Sequence, residues 1–559
     1  MELTVSAHLD TFARDHLPPA GQWPELDLSG LPAYPDRLNC GAELLDGTIG
    51  RFGPDRTVFR DGSGGSWTYG ELRERVDRIA HVLTGPLGVV PGNRVLLRGP
   101  TGPWLAACWL AVMKAGAVAV TVLAQQRAQE LAVMCDMARV THALCDVRSV
   151  DDLVKAEVPG LRVTAYGGDA PDDLLRLAAR MPARYEPVAT AADDVALIAF
   201  TSGTTGRPKG CMHFHRDVLA VADTFSAQVL RPRPDDLFAG SPPLGFTFGL
   251  GGLVVFPMRA GAASLLLEQA GPKQLLPAIS GHGVTVLFTA PTAYRVMLDE
   301  LAAAGTGAAP AYDVSSLRRC VSAGENLPAA TWRAWHERTG VRVINGIGAT
   351  ELLHIFISAA DDAIRPGTTG VPVPGWQARV VDASGHPVPD GEEGLLAVRG
   401  PVGCRYLADP RQLEYVRDRW NVTGDAYVRE PDGYFRYVAR ADDMIISAGY
   451  NVAGPQVEDA LLAHPDVVET AVVGLPDELR GQVVVAYVVL REGLPRDEGA
   501  AEELREFVKS RLVPYKCPRR VVFLDALPRT ATGKLQRFRL REGLPAPQRP
   551  PGAPGGPRS

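Results

Sequence analysis

No excess of charge of either sign marks this sequence. Its 58 basic and 64 acidic residues leave a formal net charge of -6, with a pI of about 6.0. That mild balance offers no electrostatic footprint for nucleic acid or for an anionic membrane surface. Cysteine is scarce and scattered, at 40, 108, 135, 145, 211, 320, 404 and 517, with no Cys-x-x-Cys pair. This excludes a zinc ribbon and a disulfide scaffold and fits thiols kept in a reducing, cytoplasmic compartment. His213 and His215 form a His-x-His pair, but no further ligand follows at zinc-site spacing. The opening MELTVSAHLDTFARDHLPP lacks a basic stretch followed by an apolar run, so a secretory leader is not expected. Without a secretory route the sequon Asn421-Val-Thr423 carries no meaning. No repeat appears at solenoid or propeller periods.

Long uninterrupted apolar runs are also missing. Trp104–Ala124 is long enough to cross a bilayer, yet Lys114 stands at its centre and Gly116 breaks it. The expectation is a buried helix, a glycine turn and a Val-rich strand from about Ala117 to Leu123, and no membrane association.

What is present is globular: 559 residues, 46% hydrophobic and 22% charged, enough for several core-forming units. Short Val/Ile-rich runs such as 95–97, 117–122, 195–200 and 284–288 alternate with helical patterns. Such runs suit strands buried on both faces of α/β sheets. From about Gly370 the texture shifts to Gly- and Pro-punctuated strands, 376–381 and 394–399 among them. After Arg440 a helix (456–464), two strands (467–473, 483–490), a helix (502–511) and a strand (521–524) read as a compact α+β unit. The predicted architecture is α/β: a large N-terminal domain, 1–439, of stacked α/β sheets plus a β-rich subdomain, then a small mobile C-terminal α+β domain, 440–543. The Pro/Gly-rich 544–559 is expected to be a disordered tail.

Thr201-Ser-Gly-Thr-Thr-Gly-Arg-Pro-Lys-Gly210 carries the chemistry. Its glycines permit converging backbone N–H groups, its hydroxyls add donors and Lys209 adds charge, so it can hold a polyphosphate. It follows strand-like 197–200 and precedes helix-like 215–222. It is no Walker A loop, because Pro208 stands where the second glycine belongs.

This segment resembles the phosphate-binding signature of the adenylate-forming superfamily of acyl- and aryl-CoA synthetases, peptide-synthetase adenylation domains and luciferases. Its companion motifs follow in order: Gly346-Ile-Gly-Ala-Thr-Glu351, Thr423-Gly-Asp425, the hinge motif Arg440–Gly449, and Pro528-Arg-Thr-Ala-Thr-Gly-Lys534. The resemblance spans roughly residues 40–540. It implies an ATP-dependent enzyme that joins a carboxylate to the α-phosphate, releases pyrophosphate, then passes the acyl group to a thiol. Two anions must meet, so charge neutralisation is the central task.

By that resemblance Thr201, Ser202, Gly203, Thr204, Thr205, Gly206 and Lys209 cradle the phosphates of ATP. Thr350 contacts the α-phosphate and Glu351 holds Mg²⁺, a hard cation suited to oxygen ligands. Gly324, Glu325 and Gly346 line the adenine slot, Asp425 accepts the ribose hydroxyls and Arg440 supports them. Lys534 bridges carboxylate and α-phosphate, Asp442 is the hinge, and Gly449 faces the coenzyme A channel. Ile446 stands where many members carry a lysine, as in the benzoate branch.

The branch most resembled is that of the 2-aminobenzoate–CoA ligases, then the benzoate–CoA ligases. The resemblance rests on Phe246-Thr-Phe-Gly249, Gly346–Phe356, Cys211–Asp217 and Leu38–Asp46. Phe246 and Phe248 offer flat apolar walls with Thr247 between them in the pocket, Gly249 and Gly348 leave room for a ring, and His354 offers a polar handle for an ortho substituent. Phe246 and Phe248 also read as ordinary core aromatics, and His354 as a satisfied core histidine. The implied substrates are a small aromatic acid, ATP and coenzyme A, handled by a monomer or homodimer. The same motifs would serve a stand-alone enzyme loading a carrier protein's phosphopantetheine, or a benzoate or salicylate ligase.

Overall fold

The computed structural model describes residues 3–201, 207–303, 312–447, 450–477, 480–529 and 535–542. Ser202, Gly203, Thr204, Thr205, Gly206, Gly449, Lys534 and the predicted tail 544–559 lie outside the described residues. The chain divides into two compact units, with the division between Tyr437 and Val438.

Among the described residues the larger unit carries a nine-stranded sheet, a six-stranded sheet and a smaller antiparallel sheet. In order across it, the six-stranded sheet runs Arg162–Tyr166, His142–Asp146, Arg94–Arg98, Val118–Thr121, Val195–Thr201 and Lys209–Phe214. The first five strands are parallel and the last is antiparallel to its neighbour. The nine-stranded sheet includes Leu237–Gly240, Val286–Thr289, Arg319–Ser322, Val343–Gly348 and Ile355–Ser358. Gln377–Val381, Glu393–Arg399 and Trp420–Arg429 build the antiparallel sheet, the β-rich subdomain expected beyond Gly370.

The stretch Trp104–Ala124 folds as its composition predicts. Pro103 opens the helix Pro103–Lys114 at a position that has no N–H to lose, and almost every side chain along it is buried. Gly116 turns the chain at φ +68, and Val118–Thr121 follows as a buried strand. A Cβ on Gly116 would lie 2.8 Å from the Val188 side chain. Lys114, the charge in mid-run, reaches Asp77 at 2.5 Å and Asp46 at 2.8 Å.

The smaller unit packs helices Gly454–Leu462 and Glu498–Lys509 on strands Val467–Asp477, Gly481–Leu490 and Arg520–Phe523. Val457, Leu461, Val472, Val484, Ala486, Leu504 and Val508 form its core. Asp497 caps the second helix through the Ala500 N–H.

One strand escaped the sequence reading. Lys209–Phe214 was not foreseen between the glycine-rich segment and the helix His215–Val221. The segment 202–208 thus joins two antiparallel strands, with Thr201 paired opposite Lys209. Its outer edge is covered: Met212 donates to the Arg405 carbonyl at 2.8 Å and Leu407 donates to the Gly210 carbonyl at 2.8 Å.

Lys114→Ala leaves two carboxylates, one fully buried, without their cation. The expected cost is about 3–5 kcal/mol, read as a lower denaturant midpoint. Lys114→Met with Asp77→Leu should recover much of it. An unchanged midpoint in Lys114→Ala would remove the pair from the stability of this unit.

Candidate active site

Alternation along Lys209–Phe214 puts Lys209, Cys211 and His213 on one face. That face meets the 3-10 turn Thr350–Leu352, which follows the strand Val343–Gly348. Lys209 lies 3.4 Å from Glu351 Oε1. Between them stands Tyr406, fully buried: Lys209 Nζ donates to its hydroxyl at 2.7 Å, and that hydroxyl donates to Glu351 Oε1 at 2.5 Å. Burial and the Glu351 carboxylate push the Tyr406 phenol well up, so it stays protonated and keeps its donor. Beside it Arg405 pairs with Asp217 at 2.8 Å, both side chains wholly buried.

Tyr406 was missed by the sequence reading. It sits 197 positions from Lys209 in an irregular Gly/Pro-rich stretch. The signal would have been a strand partner for Lys209–Phe214, itself not foreseen.

His213 and His215 each bond the protein's own backbone through one ring nitrogen. His213 Nε2 donates to the Thr350 carbonyl at 2.8 Å, fixing the turn that carries Thr350 and Glu351. His215 Nδ1 accepts from the Cys40 backbone N–H at 3.2 Å. Among the described residues no group of three or more His, Cys, Asp or Glu is placed to hold a metal ion. Glu351 has one oxygen engaged. Both Lys209 and Tyr406 contact Oε1, and among the described residues Oε2 accepts no hydrogen bond. A single hard carboxylate fits Mg²⁺, which keeps several waters and takes its other ligands from phosphates.

Gly324 turns at φ +91 just past the strand Arg319–Ser322, and Glu325 accepts from the Thr292 hydroxyl at 2.6 Å. Gly346 lies in its strand with Ile355 where a Cβ would be, 2.8 Å away. Asp425 sits on a bulge: Leu395 pairs with Ala426 but Ala397 with Val422, so Thr423, Gly424 and Asp425 oppose Leu396 alone. Gly424 takes φ +77, and the Asp425 N–H donates to the Thr423 hydroxyl at 3.3 Å. In the smaller unit Arg440 ends the strand Phe435–Arg440, and Asp442 lies in the 3-10 turn Ala441–Asp443.

The aromatic residues converge on His354. Its ring centroid lies 4.5 Å from Phe256, 5.5 Å from Phe248 and 5.6 Å from Phe225. Thr247, Gly251, Leu353 and His354 line one small cavity, and Phe246 directly precedes the short helix Thr247–Leu250 that runs into it. Neither ring nitrogen of His354 makes a hydrogen bond of good geometry. Burial pushes its pKa down to about 3, so the ring is neutral, with one donor and one acceptor.

Leu353 at φ +67 and ψ -39 closes a tight turn, the His354 N–H donating to the Leu352 carbonyl at 2.8 Å. Such backbone in a bulky residue costs roughly 1–3 kcal/mol. It separates Glu351 from His354. Gly251, not singled out from sequence, is needed because a Cβ there would come within 2.4 Å of the imidazole. Close backbone accounts for Gly249 and Gly348: a Cβ would lie 2.2 Å from the Pro243 carbonyl oxygen and 2.8 Å from that of His354, respectively.

Two family models match the chain: AMP-binding enzyme over residues 48–406 and AMP-binding enzyme C-terminal domain over 456–534. The chain belongs to the AMP-binding enzyme family, the adenylate-forming superfamily that its motifs resemble. Benzoate–CoA ligase of Thauera aromatica is 35% identical, over 91% of this chain and 96% of its own length. The crystal structure of the anthranilate–CoA ligase AuaEII with anthranoyl-AMP superposes with a TM-score of 0.85 at 31% identity, covering 91% and 98% of the two chains. A benzoate–CoA ligase from Burkholderia xenovorans LB400 gives a TM-score of 0.82 at 33% identity, covering 90% and 99%. These solved structures share the fold of a large α/β domain and a small C-terminal one. No helix among the described residues is long and apolar enough to cross a membrane.

Burial pushes the pKa of His213 down to about 4 and that of His215 and His354 to about 3, from 6.5. The stability these neutral rings confer is whole above pH 6.5 and is lost as pH falls through their lower folded values. The denaturant midpoint should therefore hold from pH 8 to about 6.5 and drop towards pH 4. His213→Gln, which keeps a donor for Thr350, should show a shallower drop. A midpoint equal at pH 7 and pH 5 would count against all three.

Proposed function

We propose that the protein is an AMP-forming aryl-acid–CoA ligase. The observation that carries this reading is the Lys209–Tyr406–Glu351 cluster, which joins two separate motifs of the superfamily at hydrogen-bond distance. A cation, a carboxylate and a phenol meet where a strand edge receives the glycine-rich segment. The relatives named benzoate–CoA and anthranilate–CoA ligase support an aromatic acid, as does the aromatic nest around His354.

In this reading the carboxylate oxygen of the acid attacks the α-phosphorus, and the bond to pyrophosphate breaks to leave an aryl-adenylate. The thiol of coenzyme A then attacks the acyl carbon, and AMP leaves. Lys209, with Thr201, Ser202, Gly203, Thr204, Thr205 and Gly206, holds the phosphates, and Thr350 meets the α-phosphate. Glu351 holds Mg²⁺, which supplies charge neutralisation when bound. Gly324, Glu325 and Gly346 take the adenine, and Asp425 and Arg440 the ribose. Lys534 serves the first step, Asp442 is the pivot of the small unit, and Gly449 faces the incoming thiol. Phe246, Thr247, Phe248, Gly348 and His354 surround the acid, whose best fit is 2-aminobenzoate. A neutral imidazole whose one backbone contact, to Phe248, falls short of good hydrogen-bond geometry can bond an ortho amino group, and a poorly paired buried polar atom is costly.

Pyrophosphate release should be measured with benzoate, 2-aminobenzoate, salicylate and a medium-chain fatty acid, each with and without coenzyme A. Highest turnover is expected with 2-aminobenzoate, with coenzyme A consumed stoichiometrically. Adenylation without coenzyme A consumption would assign the protein to carrier loading, and preference for the fatty acid would overturn the aromatic reading. His354→Ala should cost 2-aminobenzoate about tenfold more in kcat/KM than benzoate, the worth of one buried hydrogen bond. Equal losses would remove His354 from recognition of the substituent.

A further inference from the structure

We propose that Arg411 is a positioning residue for adenylation, fixing the point at which the glycine-rich segment rejoins the sheet. Resting on the adenylation reading, it adds to the site a residue that no motif contains. Arg411 donates from Nη1 to the Arg207 carbonyl at 3.2 Å and from Nη2 to the Pro208 carbonyl at 3.2 Å. One planar fork thus holds two consecutive carbonyls, and the next residue is Lys209.

The fork is itself held. Arg411 Nε donates to Asp409 Oδ1 at 2.9 Å and Nη2 to Oδ2 at 2.5 Å, while Oδ1 also accepts the Arg411 backbone N–H at 2.9 Å. Asp409, Pro410 and Arg411 therefore form a local turn that aims the guanidinium before it meets anything else. Both side chains are largely covered, at 19% and 9% exposure, so the arrangement is not a solvated surface pair.

Three anchors from Tyr406–Arg411 now grip residues 207–210. Leu407 donates to the Gly210 carbonyl, the Tyr406 hydroxyl takes the Lys209 ammonium, and Arg411 takes the two carbonyls before it. Lys209 enters its strand opposite Thr201, and a slip of one residue would turn its side chain to the other face of the sheet. The Arg411 fork opposes that slip where the chain enters the strand at Lys209. Lysine cannot replace it fully, because a point charge does not reproduce a two-donor fork of fixed geometry.

Arg411→Gln, Arg411→Lys and Asp409→Asn test this in the full chain through two separate half-reactions. For Arg411→Gln the KM for ATP in pyrophosphate release should rise about tenfold or more, with the KM for the aromatic acid unchanged. Thioester formation from supplied aryl-adenylate and coenzyme A should keep its wild-type rate. Arg411→Lys should fall between, and Asp409→Asn should shift the ATP KM in the same direction by less. Should the Arg411 variants fail to fold, Asp409→Asn, which leaves the arginine in place, decides alone. An unchanged ATP KM beside an active wild type, or an equal fall in both half-reactions, would overturn the positioning role. A wild type that releases no pyrophosphate with any acid would overturn the adenylation reading and this role together.

Discussion

A lysine ammonium as covered as that of Lys209 is costly unless a counter-charge is close, and much of the larger unit is arranged around that requirement. With Glu351 at 3.4 Å, the attraction is worth roughly 5 kcal/mol at an effective dielectric of 20. Neither group can move far without stranding the other. The phenol of Tyr406 links the two and is itself placed by backbone pairing along Lys209–Phe214, since Cys211 bridges Tyr406 across the strand edge. The same strand sends His213 to the Thr350 carbonyl. Register, charge balance and the position of the Thr350 turn are thus one constraint. An anionic nucleotide entering here would meet charge already balanced within the protein, so binding must repartition that balance.

Most of the architecture was legible in the sequence because it depends on short-range pattern. The buried helix, glycine turn and strand of 103–121 follow from residue types within a few positions of each other, and Lys114 only needed partners. The strands and helices of the small unit follow likewise. The candidate site was legible wherever a motif is contiguous. It was illegible where contacts join distant segments without periodicity: Tyr406 and Lys209 lie 197 positions apart, and Tyr406 and Glu351 lie 55 apart. The strand Lys209–Phe214 hid for the same reason. Only six residues long and buried on nearly its whole length, it gives too short a pattern to stand out between the glycine-rich segment and the helix that follows.

The aromatic nest around His354 shows a second kind of limit. His354 was expected to offer a polar handle or to be a satisfied core residue; its geometry is that of a buried imidazole without good hydrogen bonds, ringed by Phe225, Phe248 and Phe256. Composition predicted the aromatics but not their convergence. The glycines divide by cause. Gly251 yields its volume to the imidazole, whereas Gly249 and Gly348 yield theirs to carbonyl oxygens. A glycine in sequence announces close approach without saying what approaches.

The cysteines carry a consequence of their own. All eight are free, and seven are buried, Cys517 in the small unit being the exception. Burial raises the thiols of Cys40 and Cys108 beyond reach of a neutral-pH electrophile. A maleimide dye or spin label should therefore attach at Cys517 alone, on the unchanged natural chain. That thiol gives the small unit a built-in attachment point for a fluorescent or paramagnetic reporter without first removing the others.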